Sequence, residues 1–88
     1  MITEKDLKNI GFVRVDVTSE ESGDGAYHYY LWEPYENCRL SIISSCNDEI
    51  ESDKWNVYLF DDFENKIVFG NVDDVKIFID VIKRNIVK

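Results

Sequence analysis

Apolar positions at intervals of three and four dominate the last part of the chain. Val72, Val75, Ile79, Ile82 and Ile86, with Phe78 beside them, trace one face of a helix over Asn71 to Val87. Asn71 is placed to cap its start, with Asp73 and Asp74 near the positive end of the helix dipole. Lys83, Arg84 and Lys88 stand at the opposite end, where positive charge is favoured. Ile77 and Val81 widen the apolar stripe, and a stripe this broad predicts a sheet beneath it. A second, shorter helix is predicted over Thr3 to Ile10, capped by Thr3 with Asp6 three residues on, and stopped by Gly11.

Between the helices the period changes to two. Phe12 to Val17 alternates, with Val13, Val15 and Val17 on one side and Phe12, Arg14 and Asp16 on the other. Thr18 to Gly25 is small, polar and glycine-containing, and predicts a loop. Ala26 to Glu33 is an aromatic strand whose two faces carry Tyr27, Tyr29 and Leu31, and His28, Tyr30 and Trp32. A turn at Glu33 to Asn37 leads to a strand over Cys38 to Ser45, then an acidic loop over Cys46 to Asp53. Trp55 to Phe60 is the fourth strand and Lys66 to Phe69 a short fifth, joined by the turn Asp61 to Asn65. No connection is long enough for the crossover helix a parallel pair needs. The chain therefore predicts one α+β domain: a short N-terminal helix, a five-stranded, mainly antiparallel meander, and a C-terminal helix packed on the same face of the sheet. The expected core set is Tyr27, Tyr29, Leu31, Leu40, Ile42, Trp55, Val57 and Leu59. His28, Tyr30, Trp32, Ile43, Tyr58 and Phe60 are expected on the opposite face.

Composition narrows what this domain does. Eighty-eight residues with 44% apolar and 14% aromatic content suit one folded unit. Charge is uneven: through Gly70 six bases face fifteen acids, a balance of −9, whereas the last eighteen residues carry +1, for −8 in total. Such a field repels phosphate backbones, so direct nucleic-acid binding is not expected, although Tyr27, Tyr29, Tyr30 and Trp32 would otherwise suit base stacking. No segment approaches the ~20 apolar residues of a membrane span. No leader is legible ahead of Thr3, and the expected compartment is the cytoplasm, with Cys38 and Cys46 as free thiols.

Motif chemistry is sparse. Cys38, Cys46 and the single His28 lack zinc-site spacing, and neither acidic loop has the glycine of a calcium loop. No phosphate-cradling glycine pattern occurs, so no cofactor is expected. A small hydrolase or ligand-binding domain built on His28 is one alternative; it requires a nucleophile and an acid brought to the imidazole by folding. The leading expectation is a non-catalytic protein-binding module. Tyr30, Trp32, Tyr58 and Phe60 would be its anchors. Asp48, Glu49, Glu51, Asp61 and Asp62 would steer a basic partner, with self-association as the other outcome.

The opening Thr-Glu-Lys-Asp-Leu-Lys-Asn-Ile-Gly-Phe, the tyrosine-rich strand and the closing Asn-Val-Asp-Asp-Val-Lys-Ile-Phe resemble small uncharacterised α+β proteins of bacterial and phage genomes. The resemblance implies an accessory or inhibitory factor of a mobile element. It also opens the alternative of an acidic mimic of DNA that occupies a basic cleft.

Overall fold

The computed structural model describes residues 1–87, so the positive charge expected of Lys88 at the helix end lies outside the described residues. The element order is α1 (Glu4–Ile10), β1 (Val13–Val17), α2 (Ser19–Ser22), β2 (Tyr27–Trp32), β3 (Ile42–Ser44), a 3-10 turn (Asn47–Glu49), β4 (Val57–Leu59), β5 (Val68–Phe69) and α3 (Val72–Arg84). The five strands form one sheet in the order β1-β2-β3-β4-β5, every pair antiparallel, which is the α+β meander expected. Among the described residues no helix is long and apolar enough to cross a membrane.

Local chemistry explains the boundaries. The Asp6 N–H donates to Thr3 Oγ1 at 3.2 Å and the Thr3 N–H to Asp6 Oδ2 at 2.9 Å, so the first turn of α1 closes on itself. Gly11 ends α1 at φ 112°, a conformation that costs a side-chain-bearing residue dearly. The same box recurs at Thr18 and Glu21, and it nucleates α2 inside the segment expected to be plain loop. The third strand is shorter than its apolar pattern. Cys38 to Leu40 stay in turns, because the Ser41 hydroxyl donates back to the Cys38 carbonyl and strand pairing begins only beyond it. Leu40, expected in the core, is consequently 51% exposed.

Both helices pack on one side of the sheet. The core joins Leu7 of α1 and Val75 and Ile79 of α3 to Tyr30, Ile42 and Val57 of the strands, together with Ile2, Phe12 and Trp55. Ile2 reaches this core through an isolated bridge in which the Trp55 N–H donates to its carbonyl at 2.8 Å. Phe69 and Phe78 meet edge to face at 5.6 Å and tie β5 to α3. Ile77 and Val81 do not widen the buried stripe; they are 61% and 41% exposed. A single helix crossing a narrow sheet presents only one stripe to it, and these two residues lie outside that stripe.

The register reverses the expected faces of β2. Trp32 pairs with Ile42 and Ile42 with Leu59, so these residues share the helix-covered face with Tyr30 and His28. Tyr30 is 1% exposed and Trp32 is half-buried against the core, so neither looks outward as anticipated. Tyr27, Tyr29 and Leu31 lie instead on the other face, as do Val13, Val15 and Val17 of β1. Ile42, Trp55, Val57 and Leu59 are inside as expected, and Ile43, Tyr58 and Phe60 face away from the helices.

Candidate functional site: the uncovered sheet face and the Glu4 cluster

Two arrangements carry the chemistry of this chain, one on each face of the sheet. On the covered face Glu4, in the first turn of α1, is the centre. Its Oε2 accepts from the Tyr30 hydroxyl at 2.6 Å and lies 2.8 Å from His28 Nε2. Those two hydrogen bonds hold the Glu4 carboxyl below its usual range, Tyr30 contributing most and His28 next. Burial, then the same bond to Glu4, pushes the Tyr30 hydroxyl up to about 12. The Trp55 ring packs against both, its centroid 5.6 Å from Tyr30 and 5.9 Å from His28.

Asp53 closes this cluster. Its Oδ1 accepts from Trp55 Nε1 at 2.7 Å and from the Glu4 N–H at 3.1 Å. Ser52 and Asp53 both have positive φ, 54° and 56°, and the two bonds to Asp53 help hold that strained turn in place. The backbone of β2 is completed by side chains where β3 diverges from it. The Tyr30 N–H donates to Ser44 Oγ and the His28 N–H to Asn47 Oδ1. Folding thus gives His28 a carboxylate partner, Glu4. Its ring touches Glu4, Tyr30 and Trp55, and neither cysteine belongs to the cluster. The arrangement orients α1 and satisfies the polar tips of a buried aromatic group.

The opposite face carries Val13, Val15, Val17, Tyr27, Tyr29, Leu31, Ile43, Tyr58, Phe60 and Val68, with neither α1 nor α3 against it. Phe60 is 52% exposed and Val13 66%. The meander sets acidic turns at both ends of this surface. At one end stand α2 with Glu20 and Glu21, and the connection with Asp48, Glu49 and Glu51. At the other stand Glu33 and Glu36, and the turn with Asp61 and Asp62.

Of the residues expected to bind, the fold brings Tyr58 together with Glu49 and Glu51 in a groove of about 560 Å³ that also takes in Asn56 and Asn65. It places Phe60 with Asp61 in a smaller hollow of about 330 Å³, floored by Leu31 and bordered by Glu33 and Arg39. Asp48 is exposed beside the first groove, and Asp62 is spent locally, accepting from the Ile67 N–H at 2.9 Å. Tyr30 and Trp32 belong to neither. Sequence reasoning missed Tyr27, Tyr29 and Leu31 as surface residues, since both faces of β2 are aromatic and periodicity alone does not rank them.

One group has the donor types of a cation site. Ligand atoms of Cys46, Asp48 and Glu49 lie within 4.8 Å of one another. Burial, then the Glu49 carboxylate, pushes the Cys46 thiol up to about 11, so it keeps its proton at neutral pH. Glu49 Oε1 also accepts the Cys46 N–H at 3.2 Å, so Cys46 and Glu49 close the 3-10 turn. Comparison with protein-family models, curated proteins and solved structures finds no match to this chain.

Proposed function

We propose that this protein is a non-catalytic module that binds another protein through the uncovered face of its sheet. The supporting observation is a surface of aromatic and β-branched residues with neither α1 nor α3 over it, bordered at both ends by acidic turns. Contact surfaces favour large rings that cost little side-chain entropy, and Tyr58 and Phe60 are the anchors. Glu49, Glu51 and Asp61 stand beside them, and Asp48 adds to the same field, so a basic partner is drawn in and oriented. Tyr30 and Trp32 support the surface from below rather than touching the partner. The role of accessory or inhibitory factor is consistent with this mode of action. The two free thiols favour a reducing compartment, the cytoplasm.

Of the two groups the hydrolase alternative requires at His28, Glu4 supplies the acid; the packing of the imidazole against Tyr30 and Trp55 favours a structural role for the pair. The acidic groups divide between two ends of an apolar surface rather than forming one row, which favours protein contact over mimicry of a nucleic-acid strand. Affinity capture with the wild-type protein and with Tyr58→Ala/Phe60→Ala tests the proposal. A partner retained by the wild type, weakened by salt and lost with the double variant is expected. Equal retention by both proteins refutes it.

A further inference from the structure

The outer edge of the sheet carries a pattern that the open face does not explain. Among the described residues β1 is terminal and pairs only with β2, so its other edge presents unpaired backbone groups along five residues. The opposite edge, β5, is two residues long. A free edge of this length recruits another strand unless something deters it, and charged side chains are the usual deterrent. Here the charges are Arg14 and Asp16, with side chains 48% and 65% exposed and Nε 2.9 Å from Oδ1.

Their order matters more than their presence. Val13-Arg14-Val15-Asp16-Val17 is symmetric about Val15 except that the two charges exchange sign. We infer that the edge of β1 is a self-recognition strand: a second copy of this chain pairs with it antiparallel about a two-fold axis at Val15, setting Arg14 of each copy opposite Asp16 of the other.

Directly opposed residues of an antiparallel pair lie on the same face and are the closest cross-strand neighbours. Centred on Val15, the pairing opposes unlike charges twice on one face and opposes valine to valine on the other. Moving the centre to Arg14 sets arginine against arginine, and moving it to Asp16 sets aspartate against aspartate. The charges therefore admit one register and reject its neighbours. An isologous contact of this kind is self-complementary and closes at two copies. The chain carries −8 overall, which opposes association, but β1 is neutral, so contact runs along a charge-balanced segment of the edge. With the axis perpendicular to the sheet, the helices of both copies lie on one side and the two uncovered faces join on the other. The inference stands on the edge alone and does not require the open face to bind anything.

Sedimentation equilibrium over a range of concentrations tests it. Wild-type protein is expected to move from 10.4 kDa toward twice that mass as concentration rises. Arg14→Asp and Asp16→Arg, each alone, oppose like charges and are expected to weaken self-association on the order of tenfold or more. An equimolar mixture of these two variants is expected to form a mixed dimer, because each supplies the charge the other lacks. The double variant Arg14→Asp/Asp16→Arg restores the wild-type behaviour. Mixed-dimer formation also shows that the single variants are folded. A wild-type mass that stays at 10.4 kDa at millimolar concentration overturns the inference, as does self-association of both single variants at wild-type strength.

Discussion

The two faces of this sheet carry similar numbers of large rings and treat them differently. On the helix side the polar tips of His28, Tyr30 and Trp55 all end on carboxylates, Glu4 for the first two and Asp53 for the third. On the other side Tyr27, Tyr29 and Tyr58 are partly buried, with neither α1 nor α3 over them. A hydroxyl or imidazole beneath a helix needs a protein partner, whereas one on an open face can turn its polar tip to water. The contrast shows what fixes an aromatic strand in its sheet: the location of the acceptors, more than the hydrophobicity of its rings.

Truncating one residue on each face breaks this contrast most sharply. Ile42→Ala removes a fully buried side chain and is expected to cost about 2–5 kcal/mol. Phe60→Ala removes a larger but exposed one and should stay within about 0.5 kcal/mol. Urea denaturation of the two variants checks this, and comparable losses would show that the open face is part of the stabilising core.

The Glu4 cluster makes the covered face sensitive to pH on both sides of neutrality. The carboxyl of Glu4 is held below its unfolded value, so its contribution is present above the unfolded pKa. It is lost as pH falls through the lower, folded one. Tyr30 is raised from 10.0 to about 12, so its contribution is full below pH 10.0 and fades as pH climbs toward about 12. Denaturant midpoints measured across pH should show Glu4→Gln flattening the acid limb and Tyr30→Phe the alkaline limb. Tyr30→Phe also removes a hydrogen bond to a charged group, an expected loss of about 1.5–3 kcal/mol near neutral pH. Unchanged limbs in both variants would refute the assignment.

The smallest expected effect sharpens the comparison at the helix that supplies Glu4. Thr3→Ala opens the capping box of α1 and should cost about 1 kcal/mol, read as a shift in thermal midpoint. Because Glu4 adjoins that cap, the variant should also shrink the acid limb. Loss of stability with the acid limb intact would separate the cap from the cluster.

Much of the architecture was legible in the chain because it rests on local rules. Thr3, Asp6 and Gly11 bound α1, Asn71 starts α3, and the absence of any long connection between strands enforces the antiparallel meander. Those signals act within a few residues and survive any packing. The candidate site was legible only in half. Tyr58 and Phe60 were placed correctly because Trp55, Val57 and Leu59 make a distinctly more apolar side. In β2 no such asymmetry exists, and the expected assignment of Tyr30 and Trp32 to the surface was reversed.

Local sequence rules were enough for the two terminal helices, the five strands, the side of the sheet that receives both helices through the fourth strand, and the acidic character of the turns. Only tertiary structure decided which ring of the aromatic strand is buried. That choice is made by Glu4, which lies 26 residues away from Tyr30 in the chain and 2.6 Å away in space. A period of two says that neighbouring side chains separate to opposite faces; it carries no information about which face will find a carboxylate waiting.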